Sequence, residues 1–378
     1  MNRSGTYVKQ LQGYKAFIPT PLPPKIDLAL LDDTLNDAQR AISRLDGLSY
    51  TLPNIDLFIA MYVRKEALLS TQIEGTQASL EDIFSFEQGA QPAVFNDVQE
   101  VINYIHALHY GIERIKEIPM SMRLLKELHA MLLKDVRGAE KSPGEFRRSQ
   151  NWIGPAGASL NDALFVPPPP HEMIAAMSAL EQYMHASSDF HPLINCALIH
   201  YQFETIHPFL DGNGRLGRLL ITFYLLWKEE LHAPLLYLSY YLKQHRQEYY
   251  DRLMLVREKG DYEQWITFFL KGISITAQAA LHDAKRILQL KQDHIQLLHV
   301  KKVTSPLALI LLEKLFYTPV MSINDVKDAL DTSYQSASAI VNQLQAIDIL
   351  KEVTGKKRDK QFVYTDYVQL LSEGCLPL

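Results

Sequence analysis

From His207 to Arg218 the chain reads HPFLDGNGRLGR: a histidine, an aspartate, three glycines, an asparagine and two arginines in twelve residues. Three chemistries use parts of such a string. GNGRLG fits the G-x-G-x-x-G turn that cradles a dinucleotide, DGNGR opens like a calcium loop, and Asp-Gly-Asn-Gly ahead of arginines suits a phosphate. A dinucleotide turn needs a buried strand just before its glycines. The preceding HPLINCALIHYQFETIH instead spaces Leu193, Ala197, Leu198 and Tyr201 as a helix does. Glu230 stands where a ribose-binding acid belongs, but no β-α-β unit surrounds it. A calcium loop needs oxygen ligands at its fifth and twelfth positions, which counted from Asp211 are Arg215 and Thr222. A guanidinium does not fit a cation cage.

The phosphate reading finds all its parts. Gly212, Asn213 and Gly214 let successive N–H groups face one concavity, and a helix starting near Arg215 turns its positive end toward it. Arg215 and Arg218, three residues apart, share a helical face and can grip one polyphosphate. Asp211 is placed to hold Mg²⁺ against the phosphates. His207, four residues earlier, suits a general base for a hydroxyl nucleophile, a role worth about 10²–10⁴-fold in rate. His171, His191 and His200 read as structural, and HYQFETIH lacks the spacing of a zinc site.

The elements that position these residues are almost all helical. Apolar residues recur at three- and four-residue steps over Leu28–Leu48, Ile55–Gly75, Asn96–Lys116, Met120–Lys134, Pro170–Ala186, His191–Glu204 and Arg215–Lys228. The same holds for Tyr241–Glu258, Tyr262–Lys271 and Ile273–His299. Thr20–Lys25 is an extended, proline-rich arm. Arg147–Pro170 carries Gly, Pro and Asn turn signals between short β-prone pieces and reads as a hairpin or flap. From about Val303 the order helix, helix, helix, then two β-prone arms around GKKRDK, is that of a winged helix-turn-helix. The expected fold is mainly α, with a small β-hairpin flap and a C-terminal winged helix. The expected domains are 1–90, a helical region; 91–299, the catalytic domain; and 300–378, the winged helix.

Composition agrees with a globular chain. Its 378 residues are 47% apolar and 21% charged, with a net charge of −5 that argues against a surface coated with basic charge for nucleic acid. Cys196 and Cys375 form no disulfide framework and read as reduced thiols. The N-terminus lacks a signal-peptide core, and the longest apolar run, Leu219–Trp227, is about half a membrane span. The expectation is a soluble, cytoplasmic protein with no membrane partner.

The whole twelve-residue string resembles the signature of the Fic (filamentation induced by cAMP) family, most of whose members transfer AMP from ATP to a hydroxyl of a protein side chain. PGEFRRSQNWIGP with FVPPPP resembles the family's flap, and YLSYYLKQHRQEYYDRL its continuation after the motif. The resemblance spans nearly the full length. It implies that His207 deprotonates the acceptor hydroxyl and that Asp211 binds the Mg²⁺ bridging the α- and β-phosphates. It further implies an anion hole of Gly212, Asn213 and Gly214, with Arg215 on the β-phosphate, Arg218 on the γ-phosphate, and Leu216 and Gly217 among the nucleotide-binding residues. ATP and Mg²⁺ are the implied substrate and cofactor. An unidentified target protein would dock on the flap as an added strand.

STQIEG, Ser70–Gly75, is similar to the family's inhibitory motif, with Glu74 as its acid. Ser70 and Glu74 lie one helical turn apart, and a carboxylate beside Arg218 would pair with it bidentately in the γ-phosphate's place. Gln244 is the candidate for the adenine edge, with Tyr241, Tyr249 and Tyr250 available to pack on the ring; where many relatives carry Asn, this chain has His245. A homodimer burying part of the N-terminal region is a further expectation from the family. Relatives also transfer UMP, phosphocholine or phosphate.

The alternative of another class is a regulator that binds DNA through the winged helix. The charges oppose it. Lys301–Val368 holds nine Lys/Arg against eight Asp/Glu, and the candidate recognition helix Ser333–Asp348 holds no Lys or Arg. A target-selecting protein module is the better expectation.

Overall fold

The computed structural model describes residues 3–377 except 51, 53, 90, 91, 156, 158 and 356–359. Most of the basic run KKRDK therefore lies outside the described residues. A hairpin opens the chain, β1 (Gly5–Lys9) antiparallel to β2 (Lys15–Pro19), with Gly5 opposite Pro19. This hairpin was not expected. Its signal is the β-prone pair TYV and AFI around the Gly13 turn, masked by the polar residues between them.

After a 3-10 turn at Leu28–Leu30 come α1 (Asp32–Ser49), α2 (Ile55–Ile73), α3 (Leu80–Glu87), α4 (Phe95–Arg114) and α5 (Met122–Leu132). Helix α3 is too short for periodicity to reveal. It is fixed locally by a capping box in which Ser79 and Asp82 satisfy each other's backbone N–H. The chain continues as α6 (Pro170–His185), α7 (Pro192–Ile206), α8 (Asn213–Trp227), α9 (Ser239–Gln244), α10 (Arg246–Lys259) and α11 (Tyr262–Val300). Pro170 and Pro192 start α6 and α7, where a missing N–H costs nothing.

The centre of the fold is α7. Every residue from Leu193 to Ile206 is buried, and it packs against α6, α8 and α11. A helix buried all round carries no stripe, so its polar residues stand out as functional or hydrogen-bonded. Two expected helices in residues 262–299 are one 39-residue helix, roughly 58 Å long. Gly272, where the break was expected, serves close approach: an added Cβ would lie 2.7 Å from the Tyr241 ring. Conversely, the single helix expected over 241–258 is broken at His245 into α9 and α10.

The flap differs from a hairpin. Among the described residues only Ile153 and Phe165 pair, through N–H···O bonds of 2.8 and 3.1 Å, and a 3-10 turn occupies Leu160–Asp162. Pro167–Pro170 have no N–H to offer and Gly154–Pro155 interrupts the facing limb, so a ladder cannot grow. Strand β2 adds one bond to this loop, Phe17 N–H to Val166 O at 2.9 Å.

Beyond α11 lie α12 (Pro306–Leu315), β3 (Val320–Ser322), α13 (Ile323–Ala329), α14 (Tyr334–Ala346), β4 (Lys351–Glu352), β5 (Gln361–Val363) and α15 (Thr365–Ser372), with strand order β3-β5-β4, all antiparallel. Helix α15 was not expected. It returns to the rest of the molecule, where the Tyr367 hydroxyl meets the Phe316 carbonyl (2.9 Å) and the Met61 sulfur, and Arg286 pairs with Glu373. Cys196 and Cys375 are buried, free thiols. Among the described residues no helix is long and apolar enough to cross a membrane.

Candidate active site

The motif begins where α7 ends. His207 is its C-cap in the left-handed region (φ 50, ψ 61), with its N–H donating to the Phe203 carbonyl at 3.0 Å. A carbonyl can only accept, so the contact of His207 Nδ1 with the Glu204 carbonyl (3.4 Å) places the ring proton on Nδ1 and leaves Nε2 as a base. Burial, then the charges of Arg257 and Arg147, push the imidazole down to about 4, so it is neutral at physiological pH.

The loop from Phe209 to Asn213 is stapled by one side chain. Asn213 Oδ1 accepts from the Phe209 N–H and its Nδ2 donates to the Phe209 carbonyl, both at 2.9 Å. Gly212, at φ 73, makes the left-handed step that starts α8. That N-terminus has no side-chain cap and no acid in its first turn, so its N–H groups are open to an anion. His129 props the loop from α5. The Gly144 N–H donates to its Nδ1 at 2.8 Å, so its Nε2 donates to the Asp211 carbonyl at 3.0 Å, and its ring stacks on Phe209.

Asp211 is half exposed. Its Oδ1 accepts from the Gly212 N–H (2.6 Å) and lies 3.5 Å from Arg215, while its Oδ2 faces Gly138, where a side chain would crowd it. One partly open carboxylate, with no cluster of metal-ligating side chains around it among the described residues, suits a Mg²⁺ that brings phosphate oxygens and water with it. Arg215 is buried and held by Glu100 at 2.9 Å, with Arg137 3.6 Å from the same carboxylate. Its Nε is buried without a partner among the described residues.

Glu74 comes to the motif from the C-cap of α2. Arg218 donates from NH2 to Glu74 Oε1 (2.6 Å) and to the Ser70 carbonyl (3.0 Å), and from Nε to Ser70 Oγ (2.8 Å). The expected bidentate pair is therefore not formed. One carboxylate oxygen binds Arg218 at NH2, and Ser70 takes Nε and shares NH2. Burial would raise the Glu74 pKa, but the charge and hydrogen bond of Arg218 hold it below the ordinary value. The carboxylate also covers Gly214, where a Cβ would lie 2.3 Å from Oε1. An anion thus already sits over the first turn of α8.

Two further acids surround Arg218. Glu66, one turn before Ser70 on α2, accepts from the Ser239 N–H and hydroxyl and from the Tyr104 hydroxyl; Glu204 on α7 lies against Gly217. Burial raises both to about 7. His200 is structural. It donates from Nδ1 to the Gly217 carbonyl and accepts at Nε2 from the Tyr249 hydroxyl. Leu216 is buried in the core. Gln244 is exposed at the end of α9, Tyr241 packs on Phe268, and Tyr250 is near enough to Glu74 and Arg218 to feel their charges. Sequence reading missed Glu66, Glu100, His129, Arg147, Asn151 and Arg257. Their partners are distant in sequence, and their types are ordinary where they occur.

Comparison with known proteins places this geometry in context. Residues 33–113 match the Fic/DOC family N-terminal domain and residues 119–225 the Fic/DOC family domain. The chain is 30% identical over 244 residues to protein adenylyltransferase Fic of Culex quinquefasciatus, covering 61% of this chain and 45% of that protein. It is 31% identical over 205 residues to the protein of the same name from Drosophila yakuba, covering 53% and 38%. The chain spans less than half the length of these curated relatives. A crystal structure of a Fic family protein from Desulfovibrio desulfuricans G20 superposes with a TM-score of 0.59 over 91% of this chain and 98% of that one, at 19% identity. Fic-1 (aa134–508) from C. elegans gives 0.51 over 68% and 75%, at 20% identity.

Proposed function

The chain belongs to the Fic/DOC family, and from that premise we propose that it transfers AMP from ATP to a hydroxyl of a target protein and of itself, restrained by its own Glu74. The observation that carries this reading is the Glu74 carboxylate over Gly214 and on Arg218. An anion has been built into the place where a terminal phosphate would be neutralised.

The chemistry follows from the atoms around it. His207 Nε2 takes the proton of the acceptor hydroxyl as that oxygen attacks the α-phosphorus. The bond from the α-phosphorus to the oxygen bridging to the β-phosphate breaks, and pyrophosphate carries that electron pair away. The N–H groups of Asn213 and Gly214 at the start of α8 hold phosphate oxygens, and Arg215 and Arg218 neutralise the leaving end. Asp211 would hold Mg²⁺, which supplies charge neutralisation for the pyrophosphate. The edge at Trp152–Ile153 would take an extended target segment beside His207, and Gln244 with Tyr250 would border the base. A cytoplasmic setting suits two reduced thiols and ATP as substrate.

The test labels ATP on its α- or its γ-phosphate. The α-label is expected on protein and the γ-label is not; γ-label on protein would replace AMP transfer by phosphoryl transfer.

A further inference from the structure

A buried arginine closes the end of α7, and its printed partners are all backbone carbonyls. Arg147, on the first limb of the flap, is 3% exposed. Its Nε donates to the His207 carbonyl (2.9 Å), its NH1 to the Ser149 carbonyl (3.2 Å), and its NH2 to the carbonyls of Pro168 (2.5 Å) and Ile206 (3.5 Å). One guanidinium thus holds the outgoing limb at Ser149, the return limb at Pro168 and the C-terminus of the helix that carries His207. The carbonyls at that helix end are its negative pole, which makes a buried cation there favourable without a counter-charge. Asn151 repeats the connection from the same limb, its Nδ2 donating to the carbonyls of His207 (3.3 Å) and Phe209 (2.8 Å).

The backbone of His207 needs such a hold. A residue other than glycine in the left-handed region persists only when its surroundings over-determine it. Its N–H is fixed by Phe203, and its carbonyl takes two donors, both from flap residues. Among the described residues the flap has a single bridge pair, so side chains and not a ladder must set its register. We propose that Arg147 is a positioning residue that locks His207 and both limbs of the flap into one register, so that the docked hydroxyl and the base that deprotonates it are aligned by the same side chain.

This inference rests on the AMP-transfer reading, and the experiment separates the two. Arg147→Lys, Arg147→Met and Asn151→Ala are each made with Glu74→Gly in the full chain. Labelling of protein and hydrolysis of ATP to AMP are measured beside ATP-binding stoichiometry and thermal melting. Displacing a reacting group by about 1 Å costs about 10²-fold. The Arg147 variants are expected to bind ATP at full stoichiometry with unchanged KM and to lose protein labelling by about that factor. Lys keeps the charge but not the fork. ATP hydrolysis, whose acceptor needs no flap, is expected to fall less, and Asn151→Ala to show the same split more weakly. Unchanged labelling in all three variants overturns the inference. So does loss of labelling and hydrolysis together, in proportion to lost ATP-binding protein. An inactive Glu74→Gly parent would instead overturn the AMP-transfer reading.

Discussion

The proton on His207 Nδ1 and the free Nε2 define what this residue can do at neutral pH. Its pKa is depressed to about 4, so the basic form exists above that value and is lost as pH falls through it. The free-enzyme profile of kcat/KM for the Glu74→Gly variant should accordingly stay flat from pH 8 down to about 5 and fall below that. An acid limb near 6.5, the ordinary histidine value, would mean that the imidazole is not buried, with Arg257 and Arg147 beside it, as the structure has it. The histidine, Asp211 and the arginines were legible because they fall within twelve residues and their types rule out rival chemistries. Their partners were not. Glu100 reaches Arg215 from 115 residues away and Arg147 reaches the His207 carbonyl from 60, and no local period encodes such pairings. The Glu74–Arg218 contact was legible only through the family pattern. Its single-oxygen geometry, with Ser70 on Nε and NH2 of the same guanidinium, is a matter of side-chain placement that the sequence does not specify.

Among the elements, long amphipathic helices were legible nearly to their ends, and the failures have physical causes. The flap lost its ladder to prolines, α3 is set by a capping box over too few residues for periodicity, and α11 runs through a glycine. Gly272 gives a test with an unusual sign. In a helix interior Ala normally stabilises over Gly by about 0.5–1 kcal/mol. Here the methyl would meet the Tyr241 ring at 2.7 Å and the Leu238 side chain at 3.1 Å, and overpacking costs about 1–3 kcal/mol. Gly272→Ala should therefore lower the melting temperature by a few degrees. A rise would show that α9 shifts freely relative to α11.

Taken whole, the molecule ties its last residues to α2, the helix that carries Ser70 and ends at Glu74. Gln72, two residues before Glu74, donates to the carbonyls of Ala78 (3.0 Å) and Cys375 (2.9 Å), while Lys243 bridges Gln72 Oε1 (2.6 Å) and the Leu376 carbonyl. With α15 also anchored on Met61 and α11 shared along its length, residues 306–377 should not melt alone. Calorimetry is expected to show no separate low-temperature transition, and one that disappears on removing residues 301–378 would contradict this packing. The same long-range closure joins Glu74 to Arg218 across 144 residues, and on it rests the central claim. The most direct measurement incubates the full chain, Glu74→Gly and Glu74→Gly with His207→Ala with α-labelled ATP and Mg²⁺. Labelling is expected to be low in the first, at least about tenfold higher in the second, and lost by about 10²-fold or more in the third. Equal labelling of the first two proteins would contradict the restraint by Glu74, and undiminished labelling of the third would remove His207 as the base.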